Sequence, residues 1–165
     1  MVSRTSASTG LIPSVAKAPR ALPAIVVGGL IVGVLDLLYA IVVYSPRRPI
    51  LVPQTIAGGL LGPARAYGGG TGTAVLGTVL HFLIALVAAS AYYVASRKVK
   101  LLRERPILSG MIYGALVYAF MHIIVLPLSA LPHDSMPAMY QVCEFVEHCS
   151  CVGLPISLSV RHFSS

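Results

Sequence analysis

Long apolar runs at residues 22–44, 73–96, 107–131 and 138–160 alternate with short stretches rich in Pro, Gly or charge. A helix crossing the hydrocarbon core of a bilayer needs about 20 apolar residues, so each run is long enough to span. A shorter run, 50–62, reaches only about 20 Å as a helix. It is expected to be re-entrant or interfacial. The pattern predicts an all-α, polytopic membrane protein: a domain over 21–165 with four transmembrane helices and one short helix. The fourth span is the most polar, because Glu144, Glu147, His148 and Pro155 fall within it. Residues 1–20 are rich in Ser and Thr, contain no acid, and are expected to form a disordered tail.

Composition supports the membrane assignment, since 56% of the 165 residues are hydrophobic and 10% charged, against about 25% charged in soluble domains. The net charge of +7 does not suggest nucleic acid, because the basic residues sit at the ends of apolar runs. Lys and Arg accumulate on the cytoplasmic side of membrane proteins. With four crossings, one side holds Arg4, Lys17, Arg20, Arg97, Lys98, Lys100, Arg103, Arg105 and Arg161, and the other holds Arg47, Arg48 and Arg65. That asymmetry predicts both termini in the cytoplasm, with membrane lipids as the chain's partners. The run after Pro23 is too long for the apolar core of a cleaved signal peptide.

Small residues let membrane helices approach closely. Gly29 and Gly33 share a face of the first span, Gly110 and Gly114 a face of the third, and Gly58 and Gly62 repeat the spacing in the short helix. These six are the expected helix-packing positions, and such faces also suit a homo-oligomer. Thr71 or Thr73 is expected to cap the second span, and Pro127 to kink the third, freeing a carbonyl near residue 123. Gln54 and Arg65 flank the short helix as vestibule groups or headgroup anchors.

The costliest residues are the ionisable ones inside the spans. Given the four-crossing topology, Asp36, His81, His122, Glu144 and His148 all fall about 9 to 15 Å below the outer boundary at helical rise. One shared layer predicts an interior cluster in which the two carboxylates pair with the three imidazoles. The leading reading is that the cluster holds the bundle together. Proton or ion handling is the alternative, because imidazole titrates near neutral pH and carboxylate–imidazole chains relay protons. Metal binding is a further alternative, the donors suiting zinc, manganese or iron, as is haem held by His81 and His122. Cys143, Cys149 and Cys151 read as small hydrophobes. No hydrolase, nucleotide-binding or phosphoryl-transfer motif is present, so the sequence speaks more for a non-enzyme than for an enzyme, and no cofactor is required.

The region 28–161 resembles a group of small, uncharacterised bacterial membrane proteins with four predicted helices. The resemblance rests on Gly33-Val34-Leu35-Asp36, on Gln54-Thr55-Ile56-Ala57-Gly58-Gly59-Leu60-Leu61-Gly62, on Leu80-His81-Phe82-Leu83-Ile84-Ala85-Leu86, on Leu126-Pro127-Leu128-Ser129-Ala130 and on Val152-Gly153-Leu154-Pro155-Ile156. A more distant similarity is to the YagU-like inner-membrane family, carried by Gly110, Gly114, His122 and Pro127 together with Glu144 and His148. Asp36 and Glu147 depart from that family's pattern. The two resemblances imply a protein of the bacterial inner (plasma) membrane, and the second implies a link to acid tolerance that adds weight to proton handling.

Overall fold

A computed structural model describes residues 20–132 and 136–164, so the tail expected over 1–20 lies almost wholly outside the described residues, as does the centre of the 132–137 connection. The described residues are helical, without a strand. The elements are α1 (Ala21–Tyr44), α2 (Leu51–Leu61), α3 (Pro63–Gly68), α4 (Gly70–Lys98), α5 (Leu101–Glu104) and α6 (Pro106–Phe120). A π-helical turn, π1 (Met121–Val125), continues α6 into α7 (Leu126–Leu128). After the connection come α8 (Ala138–Glu147), a second π-helical turn, π2 (His148–Gly153), and α9 (Leu154–Ser164).

Three stretches are long and apolar enough to cross a membrane: α1, α4, and the run Pro106–Leu128 formed by α6, π1 and α7. Many of their large aliphatic side chains face outward, while Tyr92 and Tyr93 of α4 are buried. Leu22, Leu83, Ile123 and Leu128 are exposed, whereas the buried positions include Ala24, Val32, Ala85, Ala89 and Ile156 together with Ser96, Ser157 and Ser159. Small and hydroxyl-bearing residues inside with leucine and isoleucine outside is the arrangement expected where lipid surrounds the bundle.

Proline positions explain most helix ends. Pro63 and Pro106 start α3 and α6, where a missing N–H costs nothing. Gly62, at φ 79°, makes the reversal between α2 and α3, a backbone conformation that residues with a Cβ rarely adopt. Pro127 and Pro155 fall inside helical runs instead, and each follows a π-helical turn. The kink expected at Pro127 takes this form: the Leu126 N–H donates to the Met121 carbonyl, five residues back, so the ladder widens around the proline. Pro155 likewise follows directly on π2, as the second residue of α9.

The π2–α9 run lies between α1 and α6, α1 packs on α4, and α2 packs on the first half of α4. The backbone N–H of Arg20 donates to the Phe163 carbonyl at 3.2 Å, so α1 begins where α9 ends. At this same end Tyr92 of α4 donates to the Leu102 carbonyl at 2.9 Å and lies 2.9 Å from the Ser109 hydroxyl of α6. Arg97, Lys98, Arg103 and Arg161 occupy the last turns of their helices here, where cations complement the helix dipole. The opposite end carries Tyr44 against Tyr140, with ring centroids 5.9 Å apart, and the Ala130 N–H bonded to the Gly59 carbonyl at 2.9 Å.

Glycines set the helix contacts. A Cβ on Gly29 would meet Leu86 and one on Gly33 would meet the Phe82 ring, across the α1–α4 contact. A Cβ on Gly110 would strike Ser157 and the Gly153 carbonyl, and one on Gly114 the His148 carbonyl, across the contact with π2 and α9. Gly58 is 3.0 Å from Leu131 by the same construction, while Gly62 meets nothing and serves the turn. Gly77, absent from the sequence-based set, is the tightest: a Cβ there would fall on the Pro53 carbonyl of α2.

Gln54 is neither vestibule nor anchor. It is buried, and its amide donates to the Gly70 carbonyl at 2.9 Å, tying α2 to the start of α4. Thr73 does not cap α4, which begins at Gly70. Its hydroxyl lies in the first turn and bonds the carbonyls of Ala66 and Gly70 at 2.6 and 3.0 Å.

Candidate functional site

Both π turns carry a histidine, His122 in π1 and His148 at the start of π2. Such turns interrupt the regular i→i−4 ladder and occur frequently at functional sites. In each, the ring Nδ1 faces the backbone carbonyl four residues earlier: His122 faces Tyr118 and His148 faces Glu144, both at 3.0 Å. His81, on α4, presents Nε2 to the Gly33 carbonyl of α1 at 2.9 Å.

A carbonyl oxygen only accepts, so each of those ring nitrogens carries hydrogen. His81 is thereby protonated on Nε2, and His122 and His148 on Nδ1. The remaining nitrogens, His81 Nδ1, His122 Nε2 and His148 Nε2, have no hydrogen-bond partner among the described residues.

The acids lie beside these imidazoles. Asp36 Oδ2 is 3.9 Å from His81 Nε2, across the α1–α4 contact. Glu144 Oε2 is 3.5 Å from His122 Nε2, joining α8 to π1. Glu147 Oε2 is 2.9 Å from His148 Nδ1. That last N–H is directed at the Glu144 carbonyl, so the approach of Glu147 is ionic, and both Glu147 oxygens are sequestered without a hydrogen-bond donor. Glu147 is 3% exposed.

The His122–Glu144 contact carries a further consequence. With hydrogen on Nδ1, the Nε2 of a neutral ring is a lone pair, and the facing carboxylate oxygen is another. Both atoms are buried and lack other partners. The contact is attractive only if one additional proton sits on the imidazole or on the carboxyl group.

Asp36, His81 and His148 line one cavity of about 100 Å³ with apolar neighbours, among them Val32, Ala85 and Val152. The His122–Glu144 pair stands beside it. Tyr118 connects the two, its ring 4.1 Å from that of His122 and 5.6 Å, edge-on, from that of His148. Tyr39 adds a buried hydroxyl without a hydrogen-bond partner. The five residues expected from sequence therefore fall into two adjoining groups: Asp36, His81 and His148 around the cavity, and His122 with Glu144 next to it.

Sequence reasoning missed Glu147 and Tyr118. Glu147 had a signal, being a second acid inside an apolar run and adjacent to His148. Tyr118 had a weaker one, four residues before His122 and so on its face. Among the described residues no three His, Cys, Asp or Glu side chains gather in a group that would hold a metal ion. The cysteines are free thiols, Cys149 buried and Cys143 exposed. Comparison of the chain with known protein families, with curated proteins and with solved structures finds no match.

Proposed function

We propose that this chain is a four-span protein of the bacterial inner membrane, both termini cytoplasmic, whose imidazole–carboxylate cluster takes up and releases protons inside the membrane. The observation that carries the reading is the His122–Glu144 contact, which needs a proton beyond the one on Nδ1, beside a cavity that gathers Asp36, His81 and His148. Alternating acids and imidazoles are the components of proton relays in membranes. In this reading the α8–π2–α9 run is the fourth crossing, α2 is a re-entrant helix held by Gln54, and the basic end of the bundle faces the cytoplasm. The distant resemblance to an acid-tolerance family agrees with it.

The test is proton flux into proteoliposomes under an imposed pH gradient, followed with an entrapped pH-sensitive dye. Flux above that of protein-free vesicles, lost in Asp36→Asn and in His122→Ala, is expected. Flux equal to empty vesicles, or unchanged in both variants, overturns the proposal.

A second reading is adhesion. The His81 to Gly33 bond joins α4 to α1 directly, and interhelical bonds of this kind contribute about 0.6 to 2 kcal/mol. The adhesive reading predicts that the same variants lower stability and leave vesicle pH unaffected.

A further inference from the structure

An apolar groove of about 370 Å³ runs between α4 and α6, with Val87, Leu116 and Phe120 along it. Ile84, Ala88, Val117 and Met121 line both this groove and the polar cavity, so the two spaces adjoin. The outer part is apolar, while the inner part presents a carboxylate and two imidazoles.

We propose that this paired space binds a single-chain primary alkylammonium ion, the chain lying in the α4–α6 groove and the ammonium in the cavity. Size restricts the head. A cavity of about 150 Å³ is what a benzene ring occupies, and this one is about 100 Å³, so a ring-sized head such as a quinol does not fit. The polar groups restrict it further. The Asp36 carboxylate lines the cavity and accepts no hydrogen bond from any described residue, and His81, with hydrogen on Nε2, keeps a lone pair on Nδ1. The apolar residues around them, among them Val32, Ala85 and Val152, supply no donor. A primary ammonium brings three N–H donors and no acceptor, and its charge matches that of the Asp36 carboxylate. An alcohol brings one donor, and a carboxylate or phosphate head meets Asp36 with like charge. The proposal goes beyond proton uptake, although it uses the same cavity.

The test is equilibrium binding of radiolabelled dodecylamine to the full chain in nanodiscs, with empty nanodiscs as the partition control. Saturable binding of one amine per chain is expected. Unlabelled dodecylamine displaces it, whereas dodecanol and dodecanoic acid do not, and dodecyltrimethylammonium, lacking N–H, competes about tenfold or more weakly. The near-isosteric Asp36→Asn lowers affinity about tenfold or more. Ala88→Phe, which fills the junction of the two spaces, abolishes binding, and Val79→Phe, on the exposed face of α4, leaves it unchanged.

Binding no greater than to empty nanodiscs, equal displacement by dodecanol, or unchanged affinity in Asp36→Asn overturns the proposal. Chains that conduct protons yet bind no amine remove this inference and leave the proton reading in place. Chains that bind the amine yet conduct no protons do the reverse.

Discussion

Replacing Gly114 by alanine tests whether the α6 contact positions the site. The added Cβ would lie 2.7 Å from both the His148 carbonyl carbon and the Cys149 Cα, and closer still to the His148 carbonyl oxygen. Ordinary contact begins near 3.4 Å, so π2 must retreat from α6 by about 0.7 Å or more, carrying His148 with it. The obstacle is backbone, which has no rotamer to yield. Overpacking of this kind costs about 1–3 kcal/mol, more than the 0.5–1 kcal/mol or so that alanine returns over glycine in a helix interior. Gly72, on α4 with open space around its Cβ position, is the control, where the same substitution is expected to be neutral or stabilising. The assay is denaturant-induced loss of helical circular dichroism in detergent micelles, run beside proton flux in vesicles. A Gly114→Ala protein as stable as the parent, with unaltered flux, would refute the claim that close α6–π2 packing places His148.

Glu147→Met is expected to lower stability by about 3–5 kcal/mol, because it removes one partner of a buried pair and leaves the His148 imidazolium without its counter-charge. His148 keeps its bond to the Glu144 carbonyl. The same variant is expected to lower proton flux, and unchanged stability would count against a buried His148–Glu147 pair. Tyr113→Phe removes the hydroxyl that donates to the Ala88 carbonyl at 2.6 Å between α6 and α4; the expected cost is about 0.6 to 2 kcal/mol by denaturation, and no change would show that the bond is not formed in lipid. Gln54→Leu removes the bond from α2 to Gly70. It is expected to cost about 0.5–1.5 kcal/mol and to increase protease cleavage near residue 62, whereas an unaltered cleavage pattern would show that α2 is held by other contacts.

Helix positions were legible because hydropathy and proline positions act locally. The first apolar run, expected over 22–44, is α1, and the short run expected over 50–62 is α2. The second helix starts three residues earlier than its apolar pattern, at Gly70, because Gln54 and Thr73 hold the glycine-rich segment in place. Side-chain pairing was much less legible. Residue spacing predicts height along a helix, but which imidazole meets which acid depends on how each helix is rotated about its axis, and that is set by packing. The π turns show the difficulty directly. Pro127 announces that the ladder must break, yet whether a kink, water or a widened turn repairs it depends on the neighbouring helices. Glu147 was overlooked although it lies three residues after Glu144 and so on the same side of a regular helix; spacing does not say that a residue is enclosed, and Glu147 is buried by packing.

The proton lodged between His122 and Glu144 is most directly observed by nitrogen-15 NMR of histidine-labelled protein in lipid bilayers across a pH titration. The account predicts that His122 Nδ1 keeps its hydrogen throughout, that Nε2 gains and loses one, and that this exchange moves to a different pH in Glu144→Gln. A His122 ring hydrogenated on Nε2 alone at every pH, or a titration indifferent to Glu144→Gln, would contradict it.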